Sequence, residues 1–100
     1  MLARRVIGGL ALLISLAGPL ATVSADAPPG ATSCSGCHAA SAAVDTPVPR
    51  LVGRPAPEIV AAMSDFRSGL RPATVMDRIA KGFSVDETAA IAAWYSEQKQ

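Results

Sequence analysis

Apolar residues recur every three or four positions in two stretches of the chain, and this spacing predicts two amphipathic helices. The first begins at about Pro57 and stops at Gly69. Its apolar positions are Ile59, Val60, Met63 and Phe66. The second runs from about Val85 to near Gln98. The positions expected near its buried face are Thr88, Ile91, Trp94 and Tyr95.

Between and before these helices the pattern predicts shorter helices joined by loops. The segment from Ala31 to Ala43 is rich in alanine and serine and can form a helix. Several prolines and a glycine make 44–57 an extended, turning loop. A second loop is expected from Leu70 to Met76, followed by a short helix from Asp77 to Lys81.

The start of the last helix carries its own signal. Ser84 stands three residues ahead of Glu87, which is the spacing of a capping box. No segment alternates between apolar and polar residues as a half-buried strand does. The sequence therefore predicts an all-α fold of three to four helices.

The first 25 residues have the features of a secretory signal peptide. Arg4 and Arg5 form a basic start, an apolar run follows, and Ala25 ends a small-residue cleavage site. The alternative is a membrane anchor, but the apolar run of about 15 residues is shorter than the roughly 20 that span a bilayer. We expect residues 1–25 to be cleaved and 26–100 to form one domain in the periplasm, without a stable membrane span.

This domain is small and nearly neutral. Its basic and acidic residues are almost equal in number, which argues against nucleic-acid binding. With four aromatic residues in the whole chain, its core is small, and domains of this size usually need a staple such as a disulfide or a bound cofactor.

The residues Cys34-Ser35-Gly36-Cys37-His38 form a C-x-x-C-H motif, the attachment signature of c-type haem. On one helical turn, two thiols three residues apart can each add to a vinyl group of the porphyrin, and the histidine that follows lies under the iron. We therefore predict one covalent haem c with His38 as an iron ligand.

Two other readings of the cysteine pair are a zinc half-site and a reversible disulfide. A zinc site would need further Cys or His ligands, but the chain has two cysteines and one histidine. A thioredoxin-like redox site would need a βαβ context, which the predicted all-α fold lacks.

Because His38 is the one histidine, the second axial position can be filled from this chain by a methionine or another weak ligand, or stay empty. Met63 lies on the apolar face of a predicted helix, where it would fill the core. Met76 ends a loop that can bring its thioether over the iron, so Met76 is preferred and Met63 is the alternative. A Met/His pair suits reversible one-electron transfer.

The residues Pro49-Arg50-Leu51-Val52-Gly53 resemble the P-x-L-x-G segment of small cytochromes c. The resemblance implies that the Pro49 carbonyl accepts a hydrogen bond from His38 and that Leu51 packs on the haem. A generic surface loop rich in proline is the alternative. Three arginines are candidates to pair with the haem propionates, because guanidinium binds carboxylate in a fixed fork. They are Arg50, Arg54 and Arg71.

The residues from Phe66 to Met76, FRSGLRPATVM, and their continuation to Ser84 resemble the haem subunit of flavocytochrome c sulfide dehydrogenase. The resemblance implies a small cytochrome c fold wrapped around one haem, with Met76 as the distal ligand. It also implies an FAD flavoprotein partner that oxidises sulfide. The segment 39–43 departs from related cytochromes, since it lacks their polar, glycine-containing stretch.

These features are compatible with three functions. The first is a non-catalytic haem subunit that takes electrons from the flavoprotein and passes them to an acceptor such as another cytochrome. The second is a free-standing periplasmic cytochrome c that shuttles electrons between respiratory or photosynthetic complexes. The third, a haem enzyme or gas sensor, would need a distal acid–base residue, and His38 is already used on the proximal side.

Overall fold

A computed structural model describes Gly18 and residues 26–99 of the chain. Apart from Gly18, the predicted signal peptide lies outside these residues. The described part contains four helices and no strands, which confirms the all-α prediction. In chain order the helices are α1 (Ala31–Cys34), α2 (Ala56–Ser68), α3 (Met76–Ala80) and α4 (Val85–Glu97).

Helix α2 follows the predicted pattern closely. It begins one residue before the predicted Pro57, whose ring is accepted in the first turn because the backbone N–H there has no helical partner. Ile59 is buried, and Val60, Met63 and Phe66 are half-buried on the same side. The helix ends as expected at Gly69, which adopts a left-handed φ of 81°.

Helix α4 has the capping box that its sequence predicts. The Ser84 hydroxyl accepts from the Glu87 backbone N–H at 3.1 Å, and the Glu87 carboxylate accepts from the Ser84 N–H at 2.9 Å. Thr88, Ile91 and Tyr95 are buried as expected, and Trp94 is half-buried. Two otherwise unpaired donors at the start of the helix are thus satisfied locally.

The helix predicted from Ala31 to Ala43 is wrong in its length, because α1 ends at Cys34. Beyond it, the N–H groups of Ser35 and Gly36 bond to carbonyls three residues back, and this hydrogen-bonded turn continues to His38. Most of 39–45 is exposed, so an alanine-rich helix there would have no surface to pack against.

Helix α3 begins at Met76 and ends at Ala80, one residue earlier at each end than predicted. Met76 is therefore the first residue of a helix rather than the last residue of a loop. Helix α2 is tied to the end of α3 by Arg67, whose Nη2 donates to the Ala80 carbonyl at 3.0 Å. A positively charged side chain at the C-terminal end of a helix is stabilising, because it pairs with the negative end of the helix dipole and hydrogen-bonds a free carbonyl.

Helices α1 and α2 both pack against α4, and α2 also packs against α3. The largest fully buried side chain is Tyr95. The buried cluster consists of Ala31, Val52, Ile59, Ile91, Ala92 and Tyr95. Across the described residues, we find no helix with the length and apolar character needed to cross a membrane.

Candidate functional site

The C-x-x-C-H motif lies on α1 and the turn that follows it. The N–H groups of Cys37 and His38 both donate to the Cys34 carbonyl, at 3.2 and 2.9 Å, so the motif forms one continuous turn. Residues three apart on such a turn lie on the same side of it. Both cysteines are free thiols, Cys34 half-buried and Cys37 exposed. The turn therefore presents two thiols for attachment, followed directly by an imidazole.

His38 is oriented by a residue from the loop before α2. Its Nδ1 lies 2.6 Å from the carbonyl oxygen of Pro49, the contact that the P-x-L-x-G resemblance implied. A carbonyl oxygen only accepts, so Nδ1 carries the proton in this hydrogen bond. Nε2 is then left with its lone pair free to bind a metal, as in metal-ligating histidines that are held by a backbone carbonyl.

The two thiols differ in their surroundings. Burial raises the pKa of the Cys34 thiol, although hydrogen bonds from its own turn oppose the effect. Its Sγ lies 3.6 Å from the Gly30 carbonyl, which accepts from the S–H group. The Cys34 thiol is thus held protonated and directed by the turn itself.

The last helix holds the same turn through a residue that the sequence analysis did not assign to the site. The Tyr95 hydroxyl donates to the Ala31 carbonyl at 2.5 Å and lies 2.9 Å from Oγ of Ser35, between the two cysteines. Burial raises the pKa of Tyr95. The helical pattern marked Tyr95 as a core residue, but nothing in the sequence indicates a partner 60 residues away.

The other predicted site residues lie on three separate segments. Leu51 is half-buried and packs against the core cluster beside Pro49. Met63 also packs against that cluster from α2. Met76 is half-buried at the first position of α3. The choice between the two methionines as iron ligand stays a prediction.

The three candidate arginines have different environments. Arg71 is exposed and lies over the Phe66 ring, with 5.4 Å between its guanidinium carbon and the ring centroid. Arg54 Nε donates to the Arg50 carbonyl at 3.1 Å. The Nε atom of Arg50 is buried and has no hydrogen-bond partner. An orphaned buried donor of this kind needs an acceptor, and a haem carboxylate would supply one.

These residues fit a covalently held haem. The thiol pair and the oriented imidazole are the required attachment and ligand groups. The segment that carries Met76 leaves apolar side chains open, with Leu70 79 % exposed, Val75 49 % and Ile79 39 %, and an apolar ring would cover such a surface. Within the same described part, no group of three or more His, Cys, Asp or Glu residues is placed to hold a metal ion.

No family model matches the chain. A cytochrome subunit of sulfide dehydrogenase from Chlorobaculum tepidum is 36 % identical to it over 63 residues, which cover 63 % of this chain and 57 % of the relative. The chain resembles this cytochrome subunit. The resemblance inferred from the residues around Met76 is thereby confirmed.

A thiosulfate dehydrogenase electron acceptor from Thiomonas intermedia is 36 % identical over 77 residues, which cover 75 % of this chain and 36 % of the relative. The chain therefore spans a little over half of the first relative and about a third of the second. One relative is named as a cytochrome subunit and the other as an electron acceptor. Both names agree with the prediction of an electron-transfer protein rather than an enzyme.

Proposed function

We propose that this protein transfers single electrons through one haem c attached to Cys34 and Cys37. His38 is the proximal iron ligand and Met76 the distal one. The observation that carries the proposal is the hydrogen bond from His38 Nδ1 to the Pro49 carbonyl, because it leaves Nε2 available next to two free thiols.

When bound, the haem supplies the one-electron iron couple. The chain's own residues set its surroundings. The Pro49 carbonyl fixes the tautomer and the orientation of the His38 ring. A thioether from Met76 as second ligand raises the reduction potential. Leu51 and the apolar residues of the Met76 segment exclude water from the ring, and Arg50 binds a propionate through its orphaned Nε.

We further propose that the electron donor is an FAD flavoprotein that oxidises sulfide. Support comes from the sulfide dehydrogenase cytochrome subunit, which the chain resembles over 63 residues. On this proposal the protein is exported by cleavage after Ala25 and works in the periplasm. It passes each electron on to a further acceptor such as another cytochrome.

A free-standing carrier is the second candidate, and one observation favours it. The relative from Thiomonas intermedia is named as the electron acceptor of a different dehydrogenase, one acting on thiosulfate. The same small haem domain can therefore serve more than one donor. The two candidates share the haem chemistry and differ in whether a flavoprotein stays bound.

The deciding experiment is purification of the native protein from its own periplasm at low salt, followed by an absorption spectrum. Flavin bands beside c-type haem bands, with haem reduction on adding sulfide, would establish the subunit function. Haem bands alone, on a small protein that sulfide does not reduce, would favour the carrier. Thiosulfate with its dehydrogenase provides the matching assay for the second donor.

Covalent attachment is tested separately by haem staining after denaturing electrophoresis. Changing both Cys34 and Cys37 to alanine should abolish the stain. The Ser33→Ala variant is the matched control, because it removes a hydroxyl that bonds to the Gly30 carbonyl, at 2.6 Å, and leaves both thiols in place. Haem staining of the double cysteine variant would overturn the proposed function.

A further inference from the structure

We propose that Tyr95 is a positioning residue that fixes the orientation of the haem-attachment turn, acting through its hydroxyl on Ala31 and Ser35. The inference rests on the proposed function and deepens it, since it names what holds the attachment turn in place. Tyr95 lies on α4, far from the motif in sequence.

The Tyr95 hydroxyl contacts both ends of one helical turn. It donates to the carbonyl of Ala31, the first residue of α1, at 2.5 Å. Since its own proton is used there, the Ser35 hydroxyl, 2.9 Å away, donates to the Tyr95 oxygen. Ala31 and Ser35 flank Cys34 and are four residues apart, about one turn of helix. Two contacts at opposite ends of a turn restrict its rotation as well as its distance from α4.

Burial makes the contact between Tyr95 and Ala31 stronger than a surface hydrogen bond. Tyr95 is 1 % exposed and Ala31 is fully buried, so water does not compete for the Ala31 carbonyl. The Tyr95 ring is itself held edge-on by Trp94, with 4.9 Å between the ring centroids. The hydroxyl is therefore presented from a side chain with little freedom to move.

Within the part of the chain that the structure describes, the other side-chain hydrogen bonds of α1 stay inside its own turn. The Ser33 hydroxyl and the Cys34 thiol both bond to the Gly30 carbonyl, inside the same turn. A haem joined covalently to Cys34 and Cys37 turns with α1. In the haem-loaded protein the Tyr95 hydroxyl would act together with the hydrogen bond between His38 and Pro49 to set how the attachment turn holds the ring.

The test uses the haem-loaded protein and two variants that each remove one hydroxyl, Tyr95→Phe and Ser35→Ala. The Tyr95→Phe variant keeps the ring and its packing. Ser33→Ala is the control, since it also removes one hydroxyl from α1 but none bound to Tyr95. The measurements are the proton NMR shifts of the haem methyl groups and the reduction potential.

Both test variants should shift the haem methyl resonances in the same pattern and change the potential in the same direction. The double variant should shift them no further than Tyr95→Phe alone, because the contact that Ser35→Ala removes is already lost with the Tyr95 hydroxyl. Ser35→Thr, which restores a hydroxyl, should return the spectrum toward that of the unchanged protein. Ser33→Ala should leave it unchanged.

The proposal is overturned if Ser35→Ala gives the same haem spectrum and potential as Ser33→Ala. Ser35 is exposed, so this variant does not depend on refilling the core and remains informative if Tyr95→Phe folds poorly. Absence of covalent haem from the unchanged protein would instead refute the proposed function. The two failures are therefore distinguishable.

Discussion

The assignment of Met76 as the distal haem ligand can be tested by comparing it with Met63, the other candidate methionine. Met63 and Met76 are both half-buried, so truncating either to alanine removes a comparable amount of packing. Fully buried Met→Ala changes cost 2–5 kcal/mol, and half-burial brings the expected loss to about 1–2 kcal/mol for each variant. In a domain of this size such a loss lowers Tm by roughly 4–8 °C per kcal/mol.

The two variants should differ in their spectra. A thioether bound to ferric haem gives a charge-transfer band in the near infrared, and we expect Met76→Ala to lose it together with a fall in reduction potential. Met63→Ala should keep both and lose only stability. Met76→Leu sharpens the test, because it preserves volume while removing the sulfur.

The assay is a near-infrared absorption spectrum of the oxidised protein, recorded beside a thermal unfolding curve. Survival of the band in Met76→Ala with its loss in Met63→Ala would refute the assignment and place the ligand on α2. Loss of the band in Met63→Ala and Met76→Ala alike, with retention in Met76→Leu, would show that packing rather than ligation controls the spectrum.

Three further outcomes are expected. In a voltammetric pH titration, Arg50→Gln should shift the reduction potential and make it vary with pH near neutrality, because a haem propionate loses its cation. Arg71 is exposed, so Arg71→Gln should change the potential less. Gly30→Ala should lower the free energy of unfolding in urea more than Gly69→Ala does. Both glycines have a left-handed φ, but a Cβ at Gly30 would lie 2.7 Å from an aromatic ring, whereas a Cβ at Gly69 meets nothing within 4 Å. The difference of about 1–3 kcal/mol between the two variants is therefore the cost of the steric clash. Because burial raises the pKa of Tyr95, the folded protein keeps this proton to higher pH than the unfolded chain, and stability should fall as pH rises above about 10. Tyr95→Phe should flatten this decline in the urea midpoint at alkaline pH. An unchanged decline would contradict the assignment.

Signals that act within one helical turn predicted the ends of the two long helices correctly. The capping box of Ser84 and Glu87 and the stop at Gly69 act within one helical turn, so they set the ends of α4 and α2 without help from the rest of the chain. The same holds for the C-x-x-C-H motif, whose chemistry depends on spacing within a turn. The apolar face of α2 was also predictable, because helical periodicity shows which side is buried.

Long-range contacts decided the rest. Alanine-rich 39–43 has high helix propensity, yet α1 ends at Cys34 because the residues beyond it have no surface to pack against. Propensity contributes tenths of a kcal/mol per residue, and burial against a neighbour contributes more. A sequence pattern reveals helix propensity, but it does not reveal which surface a segment will be buried against.

The sequence by itself thus determined the all-α class, the two long helices and the identity of the candidate attachment residues. The P-x-L-x-G resemblance also implied the contact between His38 and the Pro49 carbonyl, which the structure contains. Only the tertiary structure showed that the Arg50 Nε is left without an acceptor and that Tyr95 holds Ala31 and Ser35. Each of these depends on where distant segments meet in the fold. Side-chain hydrogen bonds of that kind are set by packing, which places the partners within 3 Å of one another irrespective of their separation along the chain.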